Sequence, residues 1–461
     1  MSGLFQGLEI GKRALLASQL SLSTTGHNIA NVNTPGYSRQ RITIKTTLPE
    51  ASTIGVMGTG VEVSDIRHVR DLFLGGQFRE ENKSFGQWSF KEKIMAEVES
   101  MFNEPNEDGI SDLLNEFWDS WSALSTFDGT RSNIVAVTER LTAGFHQLDD
   151  QLTRLRDSID QDIENVTREV NRITEEISRL NNQIKSVELG GTHANDMRDR
   201  RDLLLDELST LIDVNSIEQE TGEVTVYIGS MAIVNGPDAM RIATNQVNID
   251  GESTHELVWE GTEVTLENSN GQLRGLIDAR DEMIPGYIAE LDRLARTIVE
   301  QVNAIHVTGF GENGSTGVAF FDPDCLEAGN IRLNREITAD SSRIAASLSG
   351  EAGDQQIAIA IAGLQDVEVM DGNTLTMNDY YNALVGTIGS DSNAASSFAA
   401  NYELLVQQID YTRQSIQGVS LDEEMTNMIK YQQAFDAAAR VVTTMDQALD
   451  TVISGMGIVG R

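Results

Sequence analysis

Cysteine is almost missing from this chain: Cys325 is the only one among 461 residues. A disulfide framework is excluded, and so is a zinc site built on cysteines. Proline is scarce too, six in all, at 35, 49, 105, 237, 285 and 323. Interior proline breaks helices, so the proline-free runs 106–236 and 324–461 predict long helical stretches. Aromatics reach only 6% while hydrophobic residues reach 40%. That balance favours thin aliphatic helix packing over one large core. Cations are in deficit, 34 Lys and Arg against 71 Asp and Glu, for a formal charge of −37. Such an excess repels phosphate backbones and anionic lipid, so no nucleic-acid partner is expected. The ordinary reason for the acidity is solubility. No uninterrupted apolar run approaches the length of a membrane span, so no membrane insertion is expected. The first residues, MSGLFQGLEIGKRALLASQL, lack the basic start, apolar run and cleavage site of a signal peptide. Composition alone therefore reads as cytosolic, or as exported without disulfides.

Recognisable chemistry is equally thin. The six histidines, at 27, 68, 146, 193, 255 and 306, show no metal-ligand spacing. His255-Glu256 begins like H-E-x-x-H, but Trp259 stands where the second histidine belongs. Gly7-x-x-x-Gly11-Lys12 is one residue short of a phosphate loop, and Arg13 replaces the required hydroxyl. There is no G-x-S-x-G elbow, and Asp371-Gly372-Asn373 lacks the rest of a calcium loop. Carboxylates are numerous enough that a glycosidase-like pair stays open. The expectation is nevertheless a protein that is not an enzyme, with no cofactor and no metal.

What the chain does have is periodicity. In a helix over 3–30, Leu8, Leu15, Leu22 and Ile29 recur every seven residues, with Leu4 and Leu16 nearby. The alternation in 41–46 and 61–66 predicts strands. Helix resumes over 70–100, breaks at Asn103-Glu104-Pro105-Asn106, and restarts with Ser111 as its cap. From 131 to 188 one track runs Phe145, Leu152, Ile159, Val166, Ile173, Leu180, Val187. A second runs Leu148, Leu155 and then, one residue late, Ile163, Val170, Ile177, Ile184. This predicts a long coiled-coil helix with an irregularity near Asp162; the bland reading, a solvated hairpin without chemistry, is also the favoured one. Short β runs at 224–228, 232–234 and 255–259, with turns at Asn235-Gly236-Pro237 and Asp250-Gly251, predict a small β domain. Helix returns over 273–306 and again from 376 onward. The last helix repeats the pattern of the first: Leu421, Met428, Phe435, Val442 and Leu449 form one track, and Tyr431, Ala438, Met445 and Val452 its neighbour. The simplest topology goes out, makes a β tip and comes back, so that the two ends pair. Unpaired, those stripes would be costly to expose, which points to an assembly subunit.

Between the first helix and the first strand lies NIANVNTPGYSR, residues 28–39. Pro35 suits position i+1 of a turn and Gly36 the positive φ at i+2. Thr34 is pushed extended by the following proline. Asn28, Asn31 and Asn33 can bond loose backbone groups.

The stretch LLASQLSLSTTGHNIANVNTPGYSRQR, together with the closing SLDEEMTNMIKYQQAFDAAARVVTTMDQALDTVI, resembles the two ends of bacterial flagellar axial proteins: rod, hook and hook-associated proteins. Three internal stretches, 197–214, 271–321 and 353–364, narrow the resemblance to the hook–filament junction members, over nearly the whole length. Such members often carry a larger outer domain after the paired phenylalanines; here Phe321 is followed by only a brief link, so this copy looks trimmed. The resemblance implies a structural subunit that joins hook to filament by self-assembly. It implies a flagellar, extracellular location reached through type III export without a cleaved signal. Its implied partners are copies of itself, the hook protein, a second hook-associated junction protein, and an export chaperone at the C-terminal helix.

The expected fold is mainly α with inserted β: terminal amphipathic helices, a long coiled-coil helical stem and a small β domain. Residues 1–40 and 420–461 would pair as the inner tube; 41–212, 271–310 and 354–419 would form the stem; 213–270 the β domain; 311–353 a small irregular insert. The expected subunit interface comprises Leu8, Leu15, Leu22, Ile29, Asn31, Pro35, Gly36, Tyr37, Arg39, Leu421, Met428, Phe435, Val442 and Leu449, with Arg41 beside them. Another axial protein, hook or distal rod, is the alternative within the class. An intracellular coiled-coil scaffold or an unrecognised hydrolase are the alternatives outside it.

Overall fold

The structure, a computed structural model, describes residues 2–52, 55–102, 109–249 and 252–456. The break at 103–106 and the turn at 250–251 expected from the sequence lie outside the described residues, as does the side chain of Leu4.

The chain opens with α1 (Ser2–Ala30). Four strands follow, β1 (Gln40–Thr46), β2 (Glu50–Ser52), β3 (Gly55–Met57) and β4 (Val61–His68). β1 and β4 pair antiparallel, from Gln40 opposite His68 to Thr46 opposite Val61, with a shift between Thr43 and Ile44. β2 and β3 form the tip of the same hairpin. The hairpin packs on α1: a Cβ on Gly60 would stand 3.5 Å from the Ile10 Cα. Residues 40–68 thus lie on the terminal helix and are also tied to the stem, where Asn195 donates to the Ile66 carbonyl at 2.8 Å.

The stem is built from α2 (Leu72–Phe102), α3 (Ile110–Ser125), α4 (Arg131–Glu188) and α5 (Asn195–Leu211). The expected cap Ser111 lies inside α3, whose cap is Gly109. α4 is one continuous helix of 58 residues, capped by Thr130, whose side chain accepts from the Asn133 N–H. Phe145, Leu152, Ile159, Ile163, Val170, Ile173, Ile177 and Ile184 are all buried on it, whereas Val187 is 39% exposed. No single helix mates with α4 along its length. α3, α5, the segment 272–306 and the β domain pack on it in turn. The one-residue slip in its second track lets successive partners approach from different directions.

Those partners include six strands: β5 (Asn215–Glu218), β6 (Val224–Ile228), β7 (Met231–Asn235), β8 (Asp238–Ala239), β9 (Ile242–Ile249) and β10 (Glu252–Trp259). β5 to β8 form a meander and β9–β10 a separate hairpin. Two amides on α4 hold their backbone, Asn181 buried and Asn171 half-buried. Asn181 donates to the carbonyls of Val224 (2.8 Å) and Gly236 (3.0 Å) and accepts from the Val224 N–H. Asn171 does the same for both backbone groups of Ile242.

The helix expected over 273–306 is divided. α6 (Gln272–Asp278) passes through a π turn, Ala279–Met283, into α7 (Ile284–His306). Pro285 has no N–H to continue the α ladder, and the turn widens before it so that Ile284 N–H reaches the Ala279 carbonyl. The insert after α7 contains β11 (Phe310–Gly311), α8 (Arg335–Ala339) and β12 (Ala345–Ser347). It is sealed to the stem by aromatics: Phe320 lies 5.2 Å from Trp121 and 5.0 Å from Phe321, ring to ring. A short α9 (Gln356–Ala362) leads to α10 (Met377–Gln417), which returns along α2, and to α11 (Leu421–Met456), which returns along α1. Trp88 on α2 meets Phe398 on α10 at 4.5 Å. Gly418, Val419 and Ser420 separate α10 from α11.

Candidate functional site

α1 and α11 run antiparallel: a Cβ on Gly7 would meet Met445 Cε at 2.9 Å, and one on Gly11 would meet Val442 Cγ2 at 2.9 Å. At the other end Asn28 meets Glu424. Between these contacts the positions in a 4–3 rhythm from Gly7 include Gly11, Ser18, Ser21 and Thr25, all buried. The seam of α1 is therefore made of small residues. The hydroxyls tolerate burial because Ser18 and Ser21 donate back to the carbonyls of Ala14 and Ala17, at 2.9 and 2.8 Å. Gly7 and Gly11, which mimic part of a phosphate loop in sequence, are packing residues.

The α11 side of the seam uses both of its seven-residue tracks. Met428, Phe435, Val442 and Leu449 are half-buried, as are Tyr431, Met445 and Val452, and Ala438 is buried. Leu421, at the helix start, is 47% exposed. Large side chains from one helix thus meet small ones from the other. Leu8, Leu15, Leu22 and Ile29 stand one position off the small-residue seam and are half-buried on its flank. Apolar residues remain exposed outside the seam, among them Leu16 and Leu20 on α1, and Met425 and Ile429 on α11, which are 57% and 56% exposed.

The turn after α1 closes as its residues demand. Tyr37 N–H donates to the Thr34 carbonyl at 3.2 Å, and Gly36 has φ +76°. A Cβ on Gly36 would lie 3.0 Å from that of Leu203 on α5. Asn31 donates to the His27 carbonyl at the helix end and accepts from Thr34 Oγ1. Pro35 and Gly36 are exposed. They form a ridge between two clefts. One, about 520 Å³, is shared with the α10–α11 link. The other, about 540 Å³, is shared with α5.

Asn28 is the hub beneath that ridge. Its amide donates to the Gln40 carbonyl (3.0 Å) and to Glu424 Oε2 (3.1 Å), and its oxygen accepts from Gln40 N–H (2.9 Å) and the Tyr37 hydroxyl (2.7 Å). Burial, with Asp196, Asp199 and Glu424 nearby, pushes the Tyr37 phenol well above its ordinary range. It stays a donor to Asn28, so His27 Nδ1, 3.1 Å away, carries the hydrogen that points to the Tyr37 oxygen. Arg39 grips α11 with a two-pronged pair to Glu423, both arms at 2.9 Å, and with Nη2 to Glu424 at 2.7 Å. The hydrogen bond with Glu423 raises the Arg39 pKa and holds the Glu423 carboxyl below its usual range. Arg39 N–H donates to the Gln417 carbonyl at 2.9 Å. On the α5 side, Asp199 accepts from Ser38 N–H (2.8 Å) and pairs with His68 (2.8 Å), and Arg70 pairs with Asp202 (2.5 Å).

Tyr37 and Arg39, expected against a neighbouring subunit, therefore commit their polar groups within the chain. They fasten the first helix to the last and both to the stem. Arg41 is exposed. Glu424, Asp199 and His27 were not singled out from sequence. The LDEEM start of α11 was the only signal for Glu424, and its partner lies 396 positions away. Among the described residues no group of three or more His, Cys, Asp or Glu is placed to hold a metal, and no helix is long and apolar enough to cross a membrane.

Three protein families match the chain: the helical domain of flagellar hook-associated protein FlgK over residues 95–321, the C-terminal region of flagellar basal body rod FlgEFG proteins over 406–455, and flagella basal body rod proteins over 8–37. Flagellar hook-associated protein 1 of Bacillus subtilis is 33% identical over 508 positions, covering 100% of both chains. That span exceeds the 461 residues present here, so the Bacillus protein carries segments this chain lacks. The Escherichia coli protein of the same name is 23% identical, over 95% of this chain and 98% of its own. The flagellar hook junction protein FlgK of Burkholderia pseudomallei superposes with a TM-score of 0.65 at 16% identity, covering 74% of this chain and 100% of that one, a likeness of fold.

Proposed function

The chain belongs to the flagellar hook-associated protein 1 family, and on that premise we propose that its paired terminal helices are the module by which copies pack into the axial structure between hook and filament. It is a structural component of the bacterial flagellum, and flagellum assembly and motility are the processes it serves.

The observation that carries the reading is the finished seam. α1 and α11 already satisfy each other through Gly7, Gly11, Met445 and Val442, yet Leu16, Leu20, Met425 and Ile429 stay exposed outside it. Burying a Leu-sized side chain stabilises by roughly 1.5–3 kcal/mol. A row of such residues repeated in each copy is an adequate drive for lateral packing. In this reading residues 1–40 and 420–461 line the inner tube, the α2–α10 stem forms the next shell, and the β domain faces outward. Hook protein and a second junction protein are the neighbours above and below. An export chaperone covers α11 before secretion, and export proceeds without a cleaved signal.

Deleting the gene tests the role. Cells should keep hooks and lose filaments, and the wild-type gene should restore them. Immuno-electron microscopy of detached flagella should label a single band at the end of the hook. Label along the hook, or intact filaments in the deletion strain, would reject the junction in favour of another axial position.

A further inference from the structure

We propose that α5 carries a polar latch: Asp196, Asp199 and Asp202 hold the terminal coil at one set angle to the stem, and loss of their contacts lets the coil swing as a unit. The latch is a property of the isolated chain and goes beyond the assembly role.

The apolar core stops short of the coil. Its cluster of buried side chains runs in sequence from Ile94 to Ala395 and takes in no residue of α1, the 40–68 hairpin or α11. The chain crosses between coil and stem at 69–71 and at 418–420, and neither crossing is helix or strand. Short segments of that kind are where hinges absorb backbone change. The coil is closed on itself by the α1–α11 seam and by the bonds of Asn28 and Arg39 to the start of α11, so it can move as one body. Clefts of about 520 and 540 Å³ flank the joint on either side of Pro35-Gly36.

Apart from the approach of Gly36 to Leu203, the bridge across the joint is polar. Asp196, Asp199, Asp202 and Asp206 recur at steps of three and four and so share one face of α5. The first rungs take the coil. Gln40 Nε2 donates to Asp196 at 2.7 Å, and Ser38 N–H and His68 Nδ1 each stand 2.8 Å from Asp199. Arg70, in the crossing, pairs with Asp202 at 2.5 Å. The last rung takes the stem: Arg79 on α2 and Arg413 on α10 pair with Asp206 at 2.8 and 2.5 Å. Arg79 also reaches Asp202 at 3.5 Å, so Asp202 is the rung where a cation of the crossing and one of the stem meet.

Asp199, Asp202 and Asp206 are all buried. Taking such charges out of water costs about as much as their pairing returns, and apolar residues in their place would hold the joint as firmly. Direction is what the ladder adds. Hydrophobic contact is non-directional and permits sliding and rotation, whereas a carboxylate oxygen within hydrogen-bond reach of its donor fixes distance and angle.

Spin labels at Gln183→Cys on α4 and Asp436→Cys on α11 read the angle by pulsed electron resonance on the purified full chain. Both positions are exposed, and Cys325, the chain's own thiol, is buried. The parent should give one narrow distance distribution. Arg70→Met with Asp202→Leu removes an ion pair as a unit and leaves Arg79 its bond to Asp206. The distribution should widen roughly twofold while the main melting transition holds or rises. Asp199→Ala, which removes partners of Ser38, His68 and Arg70 only, should widen it too, again with the main transition held. Parent width in either variant would overturn the latch, and so would a widening that comes only with a fallen main transition. The readout needs no flagellum, so filament number in cells bears on the assembly role alone.

Discussion

Asn28 and Glu424 are 396 positions apart and share a buried hydrogen bond of 3.1 Å. That bond ties the end of the first helix to the start of the last. It sits in a cluster where each member needs the others. Asn28 also serves Gln40 and Tyr37, and Glu424 also receives Arg39. The two ends of the chain are thereby fixed at the point where both leave the stem.

Asn28→Ala should consequently cost more than an average surface change. It strands the Tyr37 hydroxyl, the Gln40 N–H and one oxygen of Glu424, which is itself only 2% exposed. Each unsatisfied buried group costs about 1–3 kcal/mol. Hydrogen exchange of the 37–42 amides should rise by at least tenfold while the stem exchanges as before. Unchanged protection there would show that Asn28 is replaceable by water.

Gly11 and Gly86 separate the coil from the stem. A Cβ on Gly11 meets Val442 Cγ2 at 2.9 Å, so Gly11→Leu should force α1 and α11 apart at a cost of about 1–3 kcal/mol. Limited proteolysis should then clip both termini early, with the main thermal transition unmoved. Gly86 on α2 faces the backbone carbonyl of Thr210, which cannot step aside as a side chain can. Gly86→Ala should lower the main transition and leave the cleavage order of the termini alone.

His306 sets a pH limit on the insert. Its Nδ1–H donates to the Val318 carbonyl and its Nε2 accepts from Ala345 N–H, both within 2.9 Å, so the ring must be neutral. Burial lowers its pKa to about 4 from 6.5. The unfolded chain therefore binds a proton in that interval that the folded one refuses. The stabilisation is complete above about pH 6.5 and falls away as pH drops toward 4, by roughly 3 kcal/mol in all. Asp149 and Asp292, raised by burial and by nearby carboxylates, act in the opposite sense. The difference between wild type and His306→Gln in urea unfolding from pH 7 to 4.5 isolates the histidine. The variant should be less stable at pH 7 and should lack this part of the slope. Parallel curves would exclude the role.

The sequence disclosed some of this more readily than the rest, for physical reasons. α4 was legible because thirteen apolar positions repeat over a long proline-free run, and only a helix sustains that spacing over such a length. The turn at Pro35-Gly36 was legible because its backbone needs those two residues. The α1 seam was not. Gly7, Gly11, Ser18, Ser21 and Thr25 carry no hydrophobic signal, and the leucines that do lie one step to the side. The periodic leucines therefore mark the flank of α1 rather than the line along which it meets α11. On α11 the large residues form the seam, so there the heptad tracks and the contact line coincide. The Asn28–Glu424 and Ser38–Asp199 bonds depend on tertiary proximity, and no local pattern encodes that.

Phe435 and Leu20 distinguish folding of the coil from its assembly. Phe435 lies on the α11 track that faces α1 and is half-buried within one chain. Phe435→Asp should detach α11 from α1, so the termini become protease-sensitive in the isolated protein and incorporation fails as a consequence. Leu20 is 43% exposed on the opposite face of α1, away from α11. Leu20→Asp should leave the isolated protein as protease-resistant as wild type and still reduce incorporation into flagella. The stem should melt normally in both, because neither residue touches it. If Leu20→Asp cells carried filaments in wild-type number, the outer face of the coil would not be an assembly surface, and lateral packing would have to run through the stem. If Phe435→Asp instead left the termini resistant, the α1–α11 pair would be held by the Asn28 and Arg39 cluster alone, and the heptads would be free for a neighbour.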